Sequence, residues 1–182
     1  IGHCVAYTED REEQYRRLEL YNLSEDFSTP QRIAFGKLSG ASWAYSEAHA
    51  KYEMGETTLP REQVYAQAVG AKQKDFHYKI KALEARIFPP DRKGGYKPDQ
   101  ADKELNSLYH RIVSGPWADP ADHPGAVTLS GLRRTERAWV AYKDAWNTFV
   151  QLRQPGSGIS PEVQAYLTEE RVRDLKAAYG EK

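Results

Sequence analysis

Leu132-Arg133-Arg134-Thr135-Glu136-Arg137-Ala138-Trp139-Val140-Ala141-Tyr142-Lys143-Asp144-Ala145-Trp146-Asn147-Thr148-Phe149 is the stretch whose reading decides the fold. Trp139, Tyr142, Trp146 and Phe149 recur at steps of three and four, the spacing that gathers side chains on one face of an α-helix. The pattern predicts a helix from about Thr128 to Arg153, stopped by Pro155 and Gly156. The same period governs most of the chain, and alternating β-branched runs are missing, so the predicted fold class is all-α, a bundle of about six helices.

Outward from that stretch, a heavily charged first helix is expected from about Thr8 to Tyr21, with Tyr15 and Leu18 as its apolar anchors. Thr29 and Pro30 open a second helix that runs to about Met54 before Gly55, and Ala34, Leu38, Ala41, Tyr45, Ala48 and Tyr52 form one seam. Gly36 and Gly40 lie inside it, where each costs about 1 kcal/mol relative to Ala, so close approach of a neighbouring helix is expected there. A third helix starts near Pro60, carries Phe76, Ile80, Leu83 and Ile87 on a stripe and stops at Pro89 and Pro90. Residues 89–98 form the clearest linker. A fourth helix begins at Pro98 and buries Ala101, Leu105, Leu108 and Ile112; Ser114 to Val127 is a loop rich in Pro, Gly and Asp. Ser160 and Pro161 open a sixth helix with Val172, Leu175 and Tyr179 on a common side.

The halves align with gaps: Tyr15 with Tyr109, Arg32 with Arg137, Phe35 with Trp139, Leu38 with Tyr142, Tyr45 with Phe149, Pro60 with Pro161 and Tyr65 with Tyr166. This reads as a degenerate duplication, with one three-helix unit at residues 1–88, the linker at 89–98 and a second unit at 99–182.

Composition narrows the function classes. The 182 residues carry 26 basic and 26 acidic side chains, so no net field draws nucleic acid or an anionic membrane. Cys4 is the single cysteine, which rules out an internal disulfide. No stretch has the length of a membrane-spanning helix. No charged-then-apolar segment is read at Ile1, as a numbering that begins after a removed leader would give, and Ile1-Gly2-His3-Cys4 is a poor cleavage context, so no lipid anchor is expected.

Enzymatic patterns are weak. His49 and Glu53 stand one turn apart without a third ligand, so no metal site is expected, and no motif calls for a cofactor. Cys4 has no partner histidine that the sequence identifies, and phosphate-cradling loops are missing. The expectation is a non-enzyme.

Two segments carry a recognisable pattern. Ala101 to Tyr109 has the form A-D-x-x-L-N-x-x-Y, and Leu132 to Asp144 has the form L-R-x-x-(Q/E)-R-A-W-x-x-Y-(R/K)-D. Thr168 to Leu175 adds T-x-x-R-x-x-x-L. Together they resemble the N-terminal domain of the lysozyme inhibitor LprI family of bacterial envelope proteins, over the second half of the chain. The positions concerned are Asp102, Leu105, Asn106, Tyr109, Arg137, Trp139, Tyr142 and Asp144.

Physically, Asp102, Asn106 and Tyr109 share a helix face. Antiparallel pairing of the fourth and fifth helices would let Arg137 fork onto Asp102, with Trp139 and Tyr142 in the core. The charges of the Thr168 to Leu175 run read as a solvated face. Related domains place cysteines after the last motif, where this chain has Ala145-Trp146-Asn147, so the disulfide of the family is absent.

The resemblance implies a periplasmic or secreted protein that blocks a lysozyme-like, peptidoglycan-cleaving glycosidase by steric occlusion. Trp117, Asp119, Asp122 and His123, in the loop between the fourth and fifth helices, are the candidate contact surface: an aromatic anchor with polar rim groups. The alternative is an immunity or adaptor module for a secreted toxin.

Overall fold

The computed structural model describes residues 2–55, 58–88, 97–115 and 127–180, with side chains from residue 11 onward. Its helices are α1 (Gly2–Ser24), α2 (Thr29–Tyr52), α3 (Arg61–Glu84), α4 (Pro98–Ser114), α5 (Leu129–Arg153) and α6 (Ser160–Tyr179). The fold is all-α, and the described residues contain no strand. Local chemistry sets the ends. Gln31 accepts from the Ser28 backbone N–H at 2.9 Å, Thr128 Oγ1 accepts from the Gly131 N–H at 3.1 Å, and Gly180 closes α6 in the left-handed region at φ 66°.

The α2–α5 pair is the spine of the molecule. Phe35 lies 5.4 Å from Phe149, Tyr45 stacks on Tyr142 at 5.6 Å, and Thr135 donates to the Ala48 carbonyl at 3.3 Å. Numbers rise along one helix as they fall along the other, so the pair is antiparallel. Around it, α3 packs on α2 and α6 on α5, while α1 packs on α3 and α4 on α6. One pairing scheme therefore occurs twice. Both halves feed a single core that includes Leu38, Phe76, Leu83, Leu108, Trp146, Phe149, Leu167 and Leu175. Each large ring placed there removes roughly 150–250 Å² from water.

Several sequence expectations need correction. Tyr15 and Leu18 do not anchor α1: they are 63% and 56% exposed, and Leu20 and Leu23, near the helix end, touch the core instead. Ile87 is exposed and Phe88 is buried. α3 ends at Glu84, and Arg86 at φ 59° turns the backbone left-handed, which breaks the stripe's phase. Phe88 then fits between Trp146 and Tyr166, at 5.7 and 5.3 Å. α4 takes α6, not α5, as its main partner.

Gly36 and Gly40 are exposed and meet no neighbouring helix; a Cβ on either would find nothing within 4 Å. Gly131 is the close approach, because a Cβ there would sit 2.9 Å from Tyr52 Cβ on the antiparallel spine. Substitution tests this contrast. Gly36→Ala and Gly40→Ala should each raise stability by about 0.5–1 kcal/mol in urea unfolding. Gly131→Ala should lower it by about 1 kcal/mol or more, since overpacking outweighs the helix-propensity gain.

Candidate functional site

The residues of the three motifs meet in space, by pairings other than those expected. Asp102 on α4 accepts from Lys143 on α5 at 3.1 Å and from Thr168 on α6 at 3.4 Å. Arg137, expected to fork onto Asp102, is exposed: the helical twist carries it away from α4 and puts Lys143 there. Trp139 and Tyr142 are buried, and Lys143 spans the Trp139 ring at 5.2 Å. Leu105 is buried and Tyr109 is half-buried against the core. Asn106 and Asp144 are exposed. Trp117, Asp119, Asp122 and His123 lie outside the described residues.

The Thr168 to Leu175 run is not a solvated face, because Thr168, Arg171, Val172 and Leu175 are all buried. Arg171 donates through Nη1 and Nη2 to the two oxygens of Glu53, each at 2.7 Å, and through Nε to Glu136 at 3.0 Å. His49 Nδ1 lies 3.0 Å from Glu53, so the pair formed by α2 and the residue that caps it serves an ionic cluster. The cluster continues along α3 and α6. Lys72 reaches Asp174 at 2.5 Å, Tyr45 donates to Asp174 at 2.6 Å, and Lys79 contacts Asp75 and Glu170.

A polar stripe marks this cluster in the sequence. Ser42, Ser46, His49 and Glu53 step by four, three and four beside the apolar seam of α2, and Lys72, Asp75 and Lys79 step by three and four on α3. Gln73 ties the two stripes by donating to Ser46 at 2.9 Å. Helical spacing of polar residues next to a core stripe is the signal that points to a buried ionic interface.

Burial and pairing set the electrostatics. Burial alone would raise the Glu53 carboxyl, but hydrogen bonds from Arg171 and His49 outweigh it and hold the group below its ordinary 4.5. Glu136 has a single bond to Arg171, so burial wins and the group is raised. Asp174 is lowered, since Lys72, His49 and Tyr45 overcome its burial. Lys79 would be lowered by burial, yet Tyr142, Glu170 and Asp75 raise it. In the cluster three cations, Arg171, Lys72 and Lys79, thus meet five carboxylates, Glu53, Glu136, Asp174, Asp75 and Glu170. Among the described residues, no three His, Cys, Asp or Glu side chains are placed to hold a metal.

Open grooves lie among the described residues. One of about 300 Å³ lies beside His49, Lys72, Asp75, Arg173 and Asp174. Another of about 330 Å³ runs between α4 and α6, lined by Lys97, Glu104, Arg173 and Lys176 among others. A groove of about 880 Å³ lies between α1 and α3. Comparison with known proteins finds no matching family model, curated protein or solved structure.

Replacing Arg171 with Met leaves the buried Glu53 and the half-buried Glu136 without their shared cation, and should cost about 3–5 kcal/mol in chemical denaturation. Glu53→Gln should cost more than Glu136→Gln, because the first loses a favoured charge and the second an already disfavoured one. The pH dependence follows the same signs. Glu53 has a lowered folded pKa, so its contribution is complete above 4.5 and is lost as pH falls through that folded value. Glu136 has the opposite sign, because its protonation on acidification relieves a cost. Stability of Glu53→Gln should therefore fall less steeply below pH 4.5 than that of the parent protein.

Proposed function

We propose that this chain is a periplasmic or secreted helical binding protein of the lysozyme-inhibitor type, which blocks a peptidoglycan-cleaving glycosidase by steric occlusion. One observation supports the reading above others. The three segments that carry the resemblance interlock through their own motif residues: Asp102 with Lys143, Asp102 with Thr168, and Glu136 with Arg171. The residues that carry the resemblance are thus in contact with one another in the folded chain. On this reading the motif builds a rigid platform, and recognition falls to the outward surfaces.

Steric blocking needs no catalytic group on the inhibitor. It requires a surface that fills the sugar cleft and donors that meet the paired carboxylates of the glycosidase. No helix of the described residues is long and apolar enough to cross a membrane, which is compatible with either location.

A second reading is an immunity or adaptor module for a secreted toxin. It draws on the single cysteine, which leaves the family's disulfide unformed, and on the large α1–α3 groove. A muramidase turbidity assay separates the two. Slowed clearing at micromolar protein is expected on the first reading. Unchanged clearing, together with a stoichiometric non-muramidase partner in native co-purification, would replace it with the second.

A further inference from the structure

By the alignment of the two halves, the α1–α3 groove corresponds to the α4–α6 interface, which is packed more extensively. Aligning Tyr15 with Tyr109, as the duplication does, sets Arg11, Gln14 and Leu18 opposite Leu105, Leu108 and Ile112. In the second half those three side chains are buried as α4 packs along α6. In the first half Arg11, Gln14 and Leu18 line an open groove of about 880 Å³ together with Tyr15, Lys74 and His77. Tyr15 and Leu18 border this groove while remaining 63% and 56% exposed.

The charges of the groove are unevenly spent. Arg16 already pairs with Glu12 and Glu13 at 3.4 and 3.1 Å. Glu19 lies 2.7 Å from His77, whose imidazole burial holds below its ordinary pKa, and pairs with Lys81 at 3.3 Å, which links α1 to α3 beside the groove. Among the residues whose side chains are described, Arg11 and Lys74, one on each wall, form no ion pair. What remains for an incoming chain is two cations above an apolar pair.

We propose that this groove is a docking site for an acidic amphipathic helix of a partner protein, whose apolar side chains cover Tyr15 and Leu18 while its carboxylates meet Arg11 and Lys74. The proposal rests on the chain's being a binding protein, not on the glycosidase as its target. Loss of muramidase inhibition leaves it standing, and its own failure leaves the clearing assay unaffected.

Fluorescence anisotropy on the full chain tests it with a labelled peptide of roughly 15 residues. The probe has Leu and Trp at steps of three and four and Glu elsewhere, and a twin carries Lys for every Glu. The Glu peptide should bind saturably and about tenfold tighter than its twin. The Arg11→Glu/Lys74→Glu protein should reverse the preference, and Leu18→Asp should abolish binding of both peptides with unchanged helical circular dichroism and melting. Equal binding of the two peptides, or a preference that survives charge reversal, overturns the proposal. Self-association that occupies the groove and is lost in Leu18→Asp overturns it in favour of a second copy as the occupant.

Discussion

A guanidinium without access to water must be met by carboxylates, and Arg171 is met by one from each half of the chain. Glu53 arrives from just beyond α2 and Glu136 from α5, both converging on a side chain of α6 with no exposed surface. Removing a charge of this kind from water costs several kcal/mol unless geometry restores the loss. Two bonds to Glu53 and one to Glu136 restore it only when α2, α5 and α6 hold one register. Any helical slide along the spine would strand the charge, so the ionic cluster makes the packing unique in a way that apolar contacts alone would not.

The aromatic seam and the ionic cluster divide the work along the spine. Phe27, Phe35 and Phe149 fill one end, with ring centroids 5.4 to 5.7 Å apart. Tyr45, Tyr142 and Arg171 meet at the middle, where the Tyr45 ring stacks on Tyr142 and carries the guanidinium at 5.8 Å. Beyond them, Thr135 and Gly131 let α2 and α5 approach closely. Adhesion is supplied by the apolar end and selectivity by the charged middle. Outside the cluster, Tyr15, Tyr21 and Tyr78 are exposed at the surface.

Helix identity was legible in single stretches because it depends on neighbours three and four residues apart. Trp139, Tyr142, Trp146 and Phe149 announce α5 and its buried face without reference to any other helix. Errors collect where a residue's fate depends on something distant. Leu18 keeps the period of a core residue, yet it is exposed while Leu20 and Leu23 pack against the core. Ile87 keeps the stripe of α3, yet the left-handed turn at Arg86 gives its place to Phe88. Gly36 and Gly40 looked like contact points, while the contact is at Gly131, where no local pattern distinguishes it. Arg137 and Lys143 are both cations on α5, and only the rotation of that helix against α4 selects Lys143 for Asp102.

By itself the amino-acid order determined that the chain is helical and where most of its helices begin and end, although α1 starts at Gly2, six residues before the expected Thr8. Pairing was decided by tertiary structure: α2 with α5, α4 with α6, and Arg171 as the buried junction of both halves. The reason is that periodicity encodes which face of a helix avoids water, whereas the choice of partner for that face is settled by shape and charge contributed from elsewhere in the chain.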